Sequence, residues 1–369
     1  MTDLLLKYKS HFPEIDALYD YQVKVLSLIH KRKNTLSIIP TGGGKSLIYQ
    51  LASMELDGIT LVISPLLALM EEQVNELNKL RGIPSLALNS NISFPEQRQI
   101  LRNLKDEAYK LIYVSPERLQ NPFFRASLIA SGAKISMIVV DEAHCISQWG
   151  SSFRPDYGQI MTFVDFLKEN EQSPFLYCLT ATLAKEARED IVREFKINKD
   201  QVFVSKNLIR ANLKLHFQQV SKEEEKEDHL RDFLEKHKPA KTIGYLYSKR
   251  ECENYADSLS DSYRTNYFHA GRESEEKQVV YEQFLRNQIE VLFATTAFGM
   301  GINIPDIESV IHIHIPNSIE EYYQQVGRGW RKKSELKECQ CLALWSEVNF
   351  DRRKENLESQ KFNMDYLQK

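Results

Sequence analysis

Short β-branched and aromatic runs alternate with helical patterns along most of this chain, and that alternation constrains its fold more than any other feature. Thr35-Leu36-Ser37-Ile38-Ile39, Thr60 to Ser64, Leu111 to Ser115, Ile138-Val139-Val140 and Phe175 to Leu179 are nearly continuous apolar runs, as expected of strands buried on both faces. A chain written this way is α/β, with a parallel sheet and helices on both sides. The pattern lapses around Ser205 to Asn212, and the polar run Ser221 to Asp228 reads as a loop leading into a helix. A second alternation follows through Thr242 to Tyr247, Val291 to Thr295 and Ser309 to Ile315. At 369 residues the chain suits two domains better than one. The expected organisation is a first lobe over residues 1–205, a second over 206–346, a nucleotide cleft between them, and a charged helical tail over 347–369.

The first strand runs into Pro40-Thr41-Gly42-Gly43-Gly44-Lys45-Ser46, and a helix starts at Leu47. Consecutive glycines reach positive φ and let backbone N–H groups approach phosphate oxygens. Lys45 brings a charge to the β- and γ-phosphates, Ser46 a hydroxyl for Mg²⁺, and the helix N-terminus favours the anion. Ile39 stands where the strict GxxxxGK[ST] pattern has its first glycine, so a plain flexible turn is the competing reading. Upstream, the carboxamide of Gln22 offers the donor and acceptor that match the N6 and N7 edge of adenine, or it is a surface residue.

Asp141-Glu142-Ala143-His144 follows the strand Ile138 to Val140, at the carboxyl end where open α/β sheets place their ligands. Asp141 there suits Mg²⁺ bridging two phosphates. Strand alternation turns Glu142 elsewhere, where it can orient and deprotonate a water, and His144 is placed to report loss of the γ-phosphate. A helix N-terminus that happens to open with two acids is the bland alternative. The chain continues at once into Ser147-Gln148-Trp149-Gly150-Ser151-Ser152-Phe153-Arg154, aromatics and one arginine that suit nucleobases, or that pin a loop to the core. In the second lobe, Gln324 to Arg331 carries Arg328 and Arg331, three apart and able to share a helix face toward a phosphate.

Net charge is −3, so affinity for nucleic acid must come from a local groove. Lys31-Arg32-Lys33, Arg331-Lys332-Lys333 and Arg352-Arg353-Lys354 are candidates, or solvated faces. The N-terminus lacks a signal-peptide pattern and no apolar run approaches a membrane span. Five scattered cysteines fit a reducing cytoplasm, or the nucleoid if bacterial. Cys339 and Cys341 are too closely spaced for a zinc site and read as part of a buried strand to Trp345, so no zinc is expected.

In order, Gln22, Pro40 to Ser46, Val62 to Met70, Tyr113 to Leu119, Asp141 to His144, Leu179 to Thr182, Ala294 to Asn303 and Tyr322 to Arg328 resemble the motifs of superfamily 2 helicases. More narrowly they resemble the RecQ DNA helicases, whose aromatic-rich loop Ser147 to Tyr157 is similar to; Tyr267 to Gly271 and Phe298 to Asn303 narrow the match. The resemblance implies two RecA-like lobes and a monomeric motor that hydrolyses ATP with Mg²⁺ and moves 3′-to-5′ along single-stranded DNA in recombination and repair. It implies that Gln22 reads adenine, that Thr41, Gly42, Gly43, Gly44 and Lys45 hold phosphate, and that Ser46 and Asp141 hold Mg²⁺. Glu142 becomes the general base, with Arg328 and Arg331 on the γ-phosphate. His144, Gln148, Trp149, Phe153, Arg154, Thr180, Thr182, Thr295 and Gln324 couple DNA to hydrolysis, and the strand's backbone passes near Ser64, Ser115, Ser248 and Thr295.

The chain departs from that pattern in several places. Leu18-Tyr19 replaces Phe-Arg before Gln22, Ser151-Ser152 replaces His-Asp in the loop, Gln325 replaces a Glu, and Trp330 replaces a small glycine beside Arg331, where it would displace Arg331 or stack on nucleotide or DNA. No cysteine follows Cys341, so the family's zinc and winged-helix modules are not expected; the chain is a minimal motor or a fragment. Two other functions stay open, an RNA-directed motor and an ATP-gated nucleic-acid binder with little turnover.

Overall fold

The structure, a computed structural model, describes residues 2–89, 92–104, 109–146, 154–181, 185–206, 209–296, 298, 304–331, 337–351 and 354–355. It forms two compact units, residues 1–208 and 209–369.

The first unit is built on β1 (Thr35–Ile38), β2 (Ile59–Ile63), β3 (Ser85–Leu88), β4 (Leu111–Val114), β5 (Ile135–Val140), β6 (Phe175–Thr180) and β7 (Val202–Val204). They pair in the order β3-β4-β2-β5-β6-β1-β7, every pair parallel. Strand alternation explains the continuous apolar runs. Ile112, Val114, Ile138 and Val140 feed a core on one face, while Leu111, Tyr113, Met137 and Val139 feed a second core on the other. Some of the polar residues inside are matched, as where Ser37 Oγ and Tyr177 Oη lie 2.8 Å apart across β1 and β6.

The second unit repeats the plan with β8 (Leu213–Gln219), β9 (Thr242–Tyr245), β10 (Thr265–Phe268), β11 (Val291–Ala294), β12 (Ser309–His312) and β13 (Cys339–Trp345), in the order β10-β11-β9-β12-β13-β8. Here too all pairs are parallel. Leu292, Ala294 and Val310 face one core, and Val291, Phe293 and Ile311 the other. Cys339 and Cys341 are buried in β13, as free thiols packed in the sheet.

The sequence leaves β8 unannounced, because Lys214, Gln218 and Gln219 are exposed and it lies at a sheet edge; its seven-residue register with β13 makes it a strand. The helix expected to follow the polar run starts within it, at Glu225, and ends at His237. Of the tail, residues 347–351 continue helically beyond Trp345, and residues 356–369 lie outside the described residues. Among the described residues no helix is long and apolar enough to cross a membrane.

In both units the chain leaves the strands for its motif loops at the carboxyl edge. In the first unit that edge gathers the ends of β4, β2, β5, β6 and β1, consecutive in the sheet.

Candidate active site

The phosphate loop leaves β1 and tightens through a bond from Gly43 N to Pro40 O at 3.0 Å. Gly42 and Gly44 sit at φ of 74° and 69°, left-handed conformations that a side chain resists. A Cβ on Gly44 would meet Gln22 Nε2 at 2.5 Å, and one on Gly43 would meet Ile39 Cγ2 at 2.6 Å. The glycines are therefore required by close approach as well as by dihedral. The helix Lys45–Glu55 begins directly after them. Lys45 Nζ donates to Ile39 O at 3.3 Å, so the charge is folded back over the loop it serves.

Gln22 is buried under that loop. Its Nε2 donates to Gly43 O at 3.3 Å and to Gly44 O at 3.2 Å, while its Oε1 accepts from Tyr19 N at 2.9 Å. Tyr21 Oη donates to Gly43 O at 2.7 Å, a contact the sequence did not announce. Both ends of the carboxamide are thus engaged within the protein in this conformation.

Two strands away, β5 stops at Val140, and Asp141 N still bonds Ile63 O of β2 at 2.9 Å. Glu142 does not continue the strand, as alternation had suggested. Its φ is 49°, and its N–H donates to Asp141 Oδ1 at 2.9 Å. Such a conformation costs on the order of 1–3 kcal/mol in a residue with a side chain and gathers at working sites. The turn returns Glu142 Oε2 to within 3.3 Å of His144 Nδ1, which lies 2.9 Å from Thr180 Oγ1 at the end of β6. Glu142, His144 and Thr180 therefore form one connected chain across neighbouring strand ends.

Burial and then the charge of Glu142 push the Asp141 carboxyl up to about 7, with Lys45 pulling the other way. Burial opposes a charge on His144, but contacts with Cys145 and Glu142 outweigh it and push its pKa up to about 10. A site with two adjacent carboxylates, both half-buried, is chemically suited to a cation.

Of the aromatic-rich loop, Gln148, Trp149, Ser151, Ser152 and Phe153 lie outside the described residues, as does Thr182. Arg154 is described. Its backbone N–H bonds Cys145 O at 2.9 Å, and its guanidinium donates to Pro65 O at 3.0 Å and lies 3.9 Å from Glu117 Oε1. It thus ties the acidic-pair segment to the loops after β2 and β4, where Ser64 and Ser115 stand. Ser64 itself is buried, so a strand passing there meets its neighbours, whereas Ser248 in the second unit is exposed. Tyr157 Oη donates to Asp141 O at 2.8 Å, a brace for the acidic pair that only its nearness in sequence hinted at.

In the second unit Gln324 lies on the helix Ile319–Val326, and Arg328 and Arg331 follow its end. Trp330 does not stack outward. It is buried in the core beside Ile307 and Val326, and its backbone N–H donates to Ile307 O at 2.7 Å. Arg331 Nε donates to Gly327 O at 3.0 Å. The segment is gripped by a residue that sequence reasoning missed. Arg210 donates to Trp330 O at 2.6 Å, to Gly327 O at 3.0 Å and to Gly329 O. Asn212 adds a bond to Trp330 O at 3.2 Å. A lone arginine more than a hundred residues upstream carries no local signal of such a role. Gln325 has its own partner, His312, with Oε1 to Nε2 at 2.8 Å. Thr295 stands at the end of β11, its N–H 3.3 Å from Phe268 O.

The sequence matches the DEAD/DEAH box helicase family over residues 19–191 and the helicase conserved C-terminal domain over residues 225–333. It is 36% identical over 312 residues to the probable ATP-dependent DNA helicase RecS of Bacillus subtilis, covering 84% of this chain and 61% of that protein. To the ATP-dependent DNA helicase RecQ of Synechocystis it is 34% identical over 328 residues, covering 88% of this chain and 67% of that protein. To RecQ of Bacillus subtilis it is 37% identical over 302 residues, 81% of this chain and 49% of the relative. The chain thus spans about half to two thirds of the length of these relatives. Its fold is that of the DUF1998 helicase MrfA, solved with DNA and AMPPNP, at a TM-score of 0.76 and 17% identity over 97% of this chain and 52% of that one.

Proposed function

The chain belongs to the RecQ family of DEAD/DEAH box helicases, and from that membership we propose that it hydrolyses ATP to drive movement along single-stranded DNA, 3′-to-5′, in recombination and repair. The observation that carries the proposal is the connected chain Glu142–His144–Thr180 beside Asp141, on the same sheet edge as the glycine cradle. A phosphate loop alone indicates nucleotide binding; the linked acid, histidine and threonine add a way for hydrolysis to be felt elsewhere.

In this reading the backbone of Thr41 to Gly44 receives the phosphates and Lys45 exchanges its bond to Ile39 O for their charge. Gln22 exchanges its loop contacts for the adenine edge, so that base recognition and loop release become one event. Ser46 and Asp141 are the residues that would hold Mg²⁺. The raised carboxyl of Asp141 supports this, because a cation there offsets both its burial and the charge of Glu142. When bound, the ion neutralises charge on the phosphates. Glu142 accepts the proton of the attacking water, and its carboxylate passes the change through His144 to Thr180. Arg328 and Arg331 stabilise the charge on the transferring phosphoryl group, from a segment held by Arg210. Arg154, tied to the loops after β2 and β4, joins the strand's path to the acidic pair, together with Gln148, Trp149, Phe153, Thr182, Thr295 and Gln324.

An ATP-gated binder with little turnover would be favoured by a Trp330 that disturbs Arg331, and the burial of Trp330 in the core speaks against that. Phosphate release from ATP tests the proposal, measured without nucleic acid, with single-stranded DNA and with RNA, and with Lys45→Ala as the blank. Strong stimulation by DNA alone, lost in Lys45→Ala, is the expected result. Nucleotide binding without stimulated turnover would overturn it, and equal stimulation by RNA would favour the RNA-directed motor.

A further inference from the structure

At the carboxyl end of β9 the chain reads Tyr247-Ser248-Lys249-Arg250, and all four residues are exposed. A large aromatic side chain at a sheet edge is ordinarily turned inward, yet Tyr247 keeps 40% of its surface in solvent. It is not a loose surface residue. Its ring stacks on His314 at 4.7 Å between centroids and 12° between planes, and its hydroxyl donates to Ile315 O. One face is thereby taken by the histidine and the ring is fixed in place.

His314 is itself locked from two sides. Nδ1 lies 2.9 Å from Lys226 Nζ, and Nε2 lies 3.0 Å from Glu251 Oε1. Because an ammonium only donates, Nδ1 accepts and Nε2–H donates to the carboxylate. Lys226 is fully buried and is held further by Glu223 at 3.0 Å and by Asn349. Glu251 also accepts from Ser248 Oγ at 2.8 Å, which closes the network back onto the residue after Tyr247. Burying a lysine and a histidine in this way is costly unless both are fully bonded. The result is a rigid aromatic ring, aligned before any ligand arrives, so that little freedom remains to be lost on binding.

The neighbours define the ligand. Lys249 and Arg250 follow at the start of the helix Lys249–Ser258, and a side chain on Gly271 would meet Lys249 Nζ at 3.1 Å, which lays the ammonium against that backbone. Arg272 stands close by in sequence, its guanidinium 3.9 Å from the centre of the Tyr267 ring. A fixed aromatic face followed at once in sequence by Lys249 and Arg250 fits alternating bases and phosphates. Because β9 lies between β11 and β12, the ring shares its sheet edge with Thr295 and His314.

We propose that Tyr247 is a base-stacking platform, on which one nucleobase of bound single-stranded DNA lies while Lys249 and Arg250 neutralise adjoining phosphates. The inference rests on the reading of the chain as a DNA motor. It is tested with the whole chain by fluorescence anisotropy, comparing a labelled oligothymidylate with an abasic strand of equal length. Tyr247→Ala is expected to weaken binding to the oligothymidylate by roughly tenfold, within the usual range for one aromatic–base stack, and to leave the abasic strand within about twofold. Tyr247→Phe, which keeps the ring and loses only the hydroxyl bond, is expected to retain the preference for bases. Equal weakening on both strands, or an unchanged preference in Tyr247→Ala, would overturn the platform while the DNA-motor reading stands. Failure of the wild-type chain to bind either strand would overturn that reading and the platform with it.

Discussion

Replacing Arg210 by alanine removes the group that gathers the carbonyls of Gly327, Gly329 and Trp330 beyond the helix Ile319–Val326. A hydrogen bond from a charged donor contributes roughly 1.5–3 kcal/mol, and a carbonyl left buried without its partner bears a desolvation cost. Three such bonds, less the burial cost that the guanidinium no longer suffers, give a loss of about 3–5 kcal/mol. For a unit of this size each kcal/mol lowers the melting midpoint by about 2–4 °C, so a fall of about 6–20 °C is expected. The same carbonyls flank Arg328 and Arg331. A displacement of about 1 Å in a group that must meet a reacting phosphoryl costs about 100-fold in rate. Turnover is therefore expected to fall roughly 10- to 100-fold, with nucleotide affinity held within about threefold. Arg210→Lys should recover part of the melting temperature and little of the rate, because one ammonium does not span three carbonyls. Differential scanning fluorimetry and steady-state phosphate release read the two effects separately. Loss of stability with wild-type turnover would refute the positioning role, and a midpoint within about 2 °C of wild type would refute the grip itself.

Gly44→Ala places a Cβ 2.5 Å from Gln22 Nε2 at a φ of 69°; relief of that strain moves the loop out of its phosphate-receiving shape, and about tenfold weaker nucleotide binding by calorimetry is expected. Thr180→Val removes the partner of His144 and is expected to lower DNA-stimulated hydrolysis by about tenfold while unstimulated nucleotide binding persists. His312 is buried, which holds its pKa down to about 4. Its folded-state pKa is thus below the ordinary value of about 6.5, so its contribution is present above that pH and is lost as pH falls toward 4. Urea unfolding from about pH 7 to about pH 4.5 should show roughly 2–3 kcal/mol of this loss in the wild type and none of it in His312→Asn. An unchanged slope in the variant would show that His312 is not the group responsible.

The sheets were legible because strands buried on both faces leave unbroken apolar runs, as in Ile135–Val140, whose residues are all buried. The edge strand β8 was not, since a strand with one partner and a wet face has no such run. The phosphate loop and the acidic pair were legible because their chemistry is carried by neighbours along the chain. The conformation of Glu142 was not, because strand alternation stops at Val140 and says nothing of a residue that turns left-handed at φ 49°. The size of Trp330 suggested disturbance at Arg331, but size does not say which way a side chain points, and this one points into the core. Arg210 and Tyr157 act through backbone carbonyls, which leave no mark on the residues they hold. Tyr247 was inside a named run and still passed unnoticed, because its partner His314 lies on another strand's end.

Streptavidin displacement tests the proposed conversion of ATP hydrolysis into directed movement on a DNA single strand. Oligonucleotides carrying biotin at either end are offered with ATP and free biotin, and the rate of streptavidin release is followed for each. A 3′-to-5′ motor releases streptavidin from the 5′ end in an ATP-dependent way, far faster than from the 3′ end, and Lys45→Ala releases none. Release from neither end while ATP is being hydrolysed, or preferential release from the 3′ end, would contradict it.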